Sequence, residues 1–237
     1  MFETFALRLA AGLVIALVAL ADREVHPRFY RIQWLIVLGL SGAAGVFAWD
    51  RAPDEFWLPY GLALVASVAG FWCWAAEELK FARWPVLILA IVALFASLVA
   101  HADHLQWQQD ISAAAVLGFA TTAMLMGHWY LIAPTMSLAP LLRLLRWLFI
   151  VLAVRAIVSA ADLGLRTSPG SLDKTMWLWL GLRWMAGLVG PAILGWMAWK
   201  CARVRSTQSA TGILYVVVIL VFIGELTDQL VQLAVSG

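Results

Sequence analysis

The sequence predicts an all-α membrane protein that crosses a bilayer about eight times, packed as one bundle or as two four-helix bundles. Three observations predict it. Hydrophobic residues make up 64% of the 237-residue chain and charged residues 13%, where a soluble domain carries about a quarter charged. Apolar runs of roughly seventeen residues or more recur along nearly the whole chain, each long enough to cross the hydrocarbon core as a helix. Lysine and arginine are concentrated in alternate loops between these runs. Strands of alternating polarity are missing, which argues against an outer-membrane barrel.

The spans fall at about 4–21, 32–49, 57–76, 85–101, 111–133, 140–163, 175–199 and 212–235, and the whole chain reads as a single integral membrane domain, 1–237. The first run ends in Ala19-Leu20-Ala21, which resembles a signal-peptidase site, but Glu3 and a single arginine make a poor n-region, so a retained helix is expected. Pro59 and Pro85 are placed in first turns, where a missing amide hydrogen costs nothing. Pro134 and Pro140 bracket the fifth connection, and Pro191, inside the seventh span, predicts a kink. Gly39, Gly42 and Gly45 in span two, and Ala66 and Gly70 in span three, suit close helix contact.

The first, third, fifth and seventh loops hold Arg23, Arg28, Arg31, Lys80, Arg83, Arg143, Arg146, Lys200, Arg203 and Arg205; the even loops hold only Arg51, Arg166 and Lys174. The positive-inside rule then puts the odd loops in the cytoplasm and both termini on the periplasmic side of a cell inner membrane. Eight crossings also require the termini to share a side. Of the fourteen tryptophans all but Trp184, which sits deeper, are consistent with this frame. Trp49, Trp57, Trp107, Trp177 and Trp179 fall near outer ends, and Trp34, Trp72, Trp74, Trp84, Trp129, Trp147, Trp196 and Trp199 near inner ends, as aromatic belts do. Cys73 and Cys201 both fall near the inner face, where a disulfide is not expected. No loop is long enough for a soluble catalytic domain, and no nucleotide-binding glycine loop, zinc spacing or lipidation signal occurs. The expected surroundings are the lipid bilayer, without nucleic acid or bound metal.

Two groups of residues could carry chemistry. The first is the stretch "GHWYLIAPT", 127–135, in which His128 lies about 27 Å below the outer start of its span. That depth suits an interfacial anchor built from Trp129 and Tyr130. His128 and Tyr130 could alternatively contact a quinone, since a histidine can hydrogen-bond a carbonyl and exchange a proton near neutral pH. Haem is not expected, because His101 and His104 lie toward the outer face and only His26 could approach His128.

The second group is a set of charges inside the spans: Arg155, Arg183, Glu225 and Asp228, with Asp162 near an outer end. Intramembrane charges cost about 2.5–3.5 kcal/mol each on insertion scales, so each should have a partner. Arg155 and Glu225 lie roughly 20 Å from their inner helix starts, and Arg183 about 12 Å from its outer start, which is a similar level. Arg155, Ser159 and Asp162 share one helix face, as do Glu225, Asp228, Gln229 and Gln232. A polar seam between spans six, seven and eight is the expectation. It could fix helix register only, or it could form a quinone head-group site or proton path in which Glu225 or Asp228 moves protons and an arginine polarises a carbonyl.

Eight spans, outward termini, short loops and the acid in "GELTDQL", 224–230, resemble the NrfD/DmsC-type membrane anchor subunits. That resemblance implies two four-helix bundles, a quinone pocket toward the outer side and a redox partner subunit carrying molybdopterin or iron–sulfur centres, with Glu225 as the matching residue. Where that family's pattern has a glycine–arginine pair after the acid, this chain has Asp228 and Gln229. The leading expectation is therefore a quinone-linked anchor subunit that is not catalytic alone. A proton-coupled transporter or channel, suggested by Pro191 with Gly187 and Gly190, and a structural subunit or assembly factor are the alternatives; self-association is left open.

Overall fold

Helix formation follows the apolar runs closely. The computed structural model describes residues 1–20, 24–101, 107–133, 136–166 and 174–236, and every regular element among them is helical. In chain order these are α1 (Phe2–Val18), α2 (Pro27–Ala48), α3 (Asp54–Ala75), a 3₁₀ turn (Glu77–Ala82), α4 (Arg83–His101), α5 (Trp107–Ile132), α6 (Ala139–Arg166), α7 (Lys174–Trp184), a π turn (Met185–Val189), α8 (Gly190–Arg203) and α9 (Thr207–Ser236). Since α7, the π turn and α8 are contiguous, they make one long helix, and the described residues contain eight such helices. Six of these are long and apolar enough to cross a membrane. The other two are α1, with 17 residues, and α6, which carries Arg143, Arg146, Arg155 and Asp162. Val46, Leu58, Ile157 and Leu178 are between 69 and 76% exposed, an outward apolar surface that only lipid tolerates. The chain is an all-α, multi-pass membrane protein. Arg23, His104 and Pro134 lie outside the described residues.

Several helices run further than their apolar cores, because backbone hydrogen bonding continues past the hydrocarbon boundary. Helix α2 begins at Pro27, five residues before the apolar run, where His26 caps it: its Nδ1 accepts the Arg28 amide hydrogen at 3.1 Å. Helix α8 continues to Arg203 and ends in a Schellman turn: the Arg205 amide donates to the Ala202 carbonyl, and the Ser206 amide to that of Cys201. Arg205 takes the left-handed conformation (φ 59°) that closes such a turn. An early start also moves one proline. Helix α3 begins at Asp54, so Pro59 lies inside the helix rather than in its first turn. At Pro191 the chain relieves the missing donor with the π turn just before it, in which the Gly190 amide bonds the carbonyl of Met185, five residues back.

The chain divides within α5 into two compact units, Met1–Thr122 and Ala123–Gly237. In the first, α1 packs on α2 and α4, and α3 packs on the same two helices, which closes a four-helix arrangement. The first half of α5 joins it at a backbone contact: a Cβ added at Gly118 would lie 1.9 Å from the Gly12 carbonyl. Gly39 and Gly42, by contrast, have nothing within 4 Å of where a Cβ would be, so they are not contact glycines; Gly45 and Gly70 accommodate Tyr60 and Trp34. Trp34 and Trp74, 1% and 7% exposed, are core side chains rather than belt residues. Gly118→Ala is expected to destabilise the protein by roughly 1–3 kcal/mol, because backbone cannot yield as a side chain does. Gly42→Ala should be neutral or slightly stabilising. Thermal unfolding of the two variants in one detergent checks the contrast.

In the second unit α9 packs along α7, the π turn and α8, and α6 packs on α8 and the π turn. Close approaches again occur at glycine. A Cβ at Gly224 would fall 2.2 Å from the Gly187 Cα, Gly127 abuts Thr211, and Gly195 meets Leu148 and Phe149. The Gly187–Gly224 contact draws the π turn onto α9 beside Glu225.

Candidate functional site: a buried charge cluster

Helical spacing assembles the cluster in the second unit. On α9, Glu225, Asp228, Gln229 and Gln232 stand at i, i+3, i+4 and i+7, on one face. Arg155 and Ser159 do the same on α6, one turn apart. Arg183 is the penultimate residue of α7, immediately before the π turn. The three helices bring these side chains into contact, as their depths and faces predict.

Asp228 is the hub. Arg155 Nη2 donates to its Oδ2 at 2.7 Å, and Gln232 Nε2 donates to the same oxygen at 3.0 Å. Arg183 Nε lies 2.6 Å from Oδ1; the angle is poor for a hydrogen bond, so this is a charge contact set by distance. Glu225 is bound differently. Its Oε2 lies 3.4 Å from Arg155 Nη2, and its Oε1 accepts from Gln229 Nε2 at 3.3 Å. Arg183 also donates from Nη2 to Ser159 Oγ at 3.0 Å. Arg155, Arg183 and Glu225 are each 6% exposed and Asp228 is 1% exposed. Two guanidiniums and two carboxylates cancel in formal charge, which is what allows four such groups out of water together. Beside them runs the π turn, a helix irregularity that is frequent at functional sites.

The remaining sequence-predicted residues are not all brought here. Asp162, two turns beyond Arg155, is partly exposed and interacts electrostatically with Arg183. His128 is exposed near the end of α5, with Nδ1 3.4 Å from the Tyr215 hydroxyl. Tyr215 lies ten residues before Glu225 on α9, so His128 stands about 15 Å from the cluster along the helix axis. Tyr130 is buried, and its hydroxyl donates to the Ser137 carbonyl, closing the turn after α5. The histidine–tyrosine stretch thus does not share a site with the four charges. His26 serves as the α2 cap.

A second buried ion pair is absent from the sequence reading. In the first unit, Arg8 of α1 and Asp110 of α5, each 2% exposed, are joined through Arg8 Nε and Nη2 to a single oxygen, Oδ1. The Nε contact is 2.8 Å. Asp110 Oδ2 has no hydrogen-bond partner among the described residues. With span five starting at 111, Asp110 falls just outside the expected membrane segment, which leaves no acid to match with Arg8 of the first span. The available signal was charge pairing: a lone arginine in the first span needs an acid, and Asp110 begins an apolar run.

Among the described residues no three His, Cys, Asp or Glu side chains are grouped to hold a metal ion, and Cys73 and Cys201 are both free thiols. No family model, curated protein or solved structure matches the chain.

Proposed function

We propose that this chain is the membrane subunit of a respiratory-type oxidoreductase that exchanges electrons and protons with a quinone, its electrons passing to or from a redox centre on a partner subunit. Glu225 is the proton-exchanging group in this reading, and Arg155 and Arg183 are its electrostatic frame. The loop charges favour a cell inner membrane with both termini periplasmic, which puts the cluster in the outer half of the bilayer.

The carrying observation is the asymmetry between the two acids. Protonating Asp228 would forfeit contacts at 2.7, 2.6 and 3.0 Å. Protonating Glu225 weakens a longer arginine contact, 3.4 Å, together with its attraction for Arg183, and leaves both guanidiniums facing Asp228. A fixed anion beside an exchangeable one is a usable arrangement: the cluster keeps a counter-ion through the proton cycle. Quinone reduction consumes two electrons and two protons. The guanidinium and carboxamide N–H groups of Arg155, Gln229 and Gln232, which here donate to the two acids, are donors of the kind a quinone carbonyl accepts.

Glu225→Gln preserves size, keeps one acceptor oxygen and removes the exchangeable proton. Quinone-linked turnover of the native complex should fall by about 10²-fold or more, with a smaller loss of thermal stability than Asp228→Leu. A variant that turns over normally removes Glu225 from the proton path. Native mass spectrometry of the protein taken gently from its own membranes should show a quinone and a redox partner; finding neither would overturn the anchor reading. A second reading, a proton-coupled transporter, is favoured by the π turn and the Gly187–Gly224 approach at cluster level, because an interrupted helix at such depth can move. Proton flux through the lone protein in liposomes distinguishes it.

A further inference from the structure

The first unit contains a basic cavity unrelated to the charge cluster. It occupies about 350 Å³ between the N-terminus of α2, the end of α3, the 3₁₀ turn and the start of α4, within the roughly 300–1,000 Å³ typical of small-ligand sites. Arg28 and Arg31 come from α2, Lys80 from the 3₁₀ turn and Arg83 from α4, with His26 at the rim and Trp74 as the wall. Four cations from three elements thus share one small volume.

The cavity has an ordered back wall. The Arg83 guanidinium lies 3.9 Å over the Trp74 ring, and its Nε donates to the Cys73 carbonyl at 3.2 Å. Trp74 in turn stacks on the buried Tyr30 ring at 3.6 Å and 3°. Arg31 rests against Phe71 at 5.1 Å. Stacking on aromatic faces holds arginine forks in place before any ligand arrives. The electrostatics also call for an anion. The first turn of α2 holds no acid and carries Arg28, the wrong sign for the positive end of a helix dipole. An anion among these side chains would reverse that penalty.

We infer that this cavity binds a phosphate-bearing anion on the basic side of the membrane. The chemistry is that of an anionic phospholipid head group, which basic pockets between transmembrane helices take up; a soluble phosphate would present the same group. The inference is independent of the quinone reading, since it uses no residue of the cluster.

The test is native mass spectrometry of the full chain, stripped of lipid and titrated with a phosphatidylglycerol, with a phosphatidylcholine of the same acyl chains, and with inorganic phosphate. Wild type should retain the anionic lipid in preference to the zwitterionic one. Arg28→Gln/Arg31→Gln should weaken that binding about 25-fold, at about fivefold per cation near a charged surface. Lys200→Gln/Arg203→Gln, at another basic helix end, should leave it unchanged. Displacement of the lipid by millimolar inorganic phosphate would show that a soluble phosphate satisfies the site; retention in its presence assigns the site to the lipid. Equal binding by wild type and the Arg28/Arg31 variant, or no preference for the anionic lipid, overturns the inference. Should the double variant not fold, Lys80→Gln, at an exposed side chain, repeats the test with about a fivefold loss expected.

Discussion

Asp228→Leu should destabilise the second unit by about 3–5 kcal/mol, more than replacement of any other member of the cluster. The reason is what remains. Arg155 and Arg183 both face Asp228, and its loss leaves two guanidiniums, each 6% exposed, with the more distant Glu225 and the partly exposed Asp162 as the acids near them. Glu225→Leu removes a contact at 3.4 Å and should cost less. Adding Arg155→Leu to Asp228→Leu restores charge balance, with Arg183 and Glu225 remaining, and should recover much of the loss. Thermal unfolding of the three variants in detergent, followed by tryptophan fluorescence, gives the comparison. A double variant no more stable than Asp228→Leu alone would mean that the Arg155–Asp228 contact does not carry the coupling.

Arg8→Leu and Asp110→Leu should each cost about 3–5 kcal/mol, while the double leucine variant should lie near wild type or above it. Each single change takes the direct Arg8–Asp110 contact away from the charge that remains. The double change replaces a desolvated pair by apolar side chains, and a buried pair repays its desolvation only when every lone pair is satisfied. Asp110 Oδ2 has no hydrogen-bond partner among the described residues, which favours the apolar replacement. The same melts measure it. Failure of the double variant to recover stability would mean that Arg8 and Asp110 have individual roles beyond their pairing.

Depth and periodicity made the charge cluster legible, because helix rise is constant and intramembrane charges must find partners. Arg155, Arg183, Glu225 and Asp228 share a level by counting, and their faces follow from spacings of three and four residues. The same counting separated the level of His128 from theirs. Counting did not reveal that Asp228 rather than Glu225 is the hub. Both acids lie on one α9 face, and only the approach of α7, set by Gly187 on Gly224, puts Arg183 beside Asp228. Arg8 falls inside the first span by counting, but Asp110 stands at a helix start, where a boundary error of a few residues moves a charge from water into the core.

Hydrophobic run length, by itself, determined that this chain is helical and crosses a membrane repeatedly, since a backbone in hydrocarbon must satisfy its own hydrogen bonds. Charge asymmetry between loops and charge periodicity within spans were likewise local properties, readable without a partner helix. Tertiary structure alone decided which glycines are contacts, which tryptophans are core, and which cations converge on a cavity. Those outcomes depend on which helix stands next to which, and inside a bilayer every apolar helix face resembles every other. The choice of neighbours falls to shape and a few polar pairs: Gly12 against Gly118, Trp34 over Gly70, and Arg155 and Arg183 on Asp228.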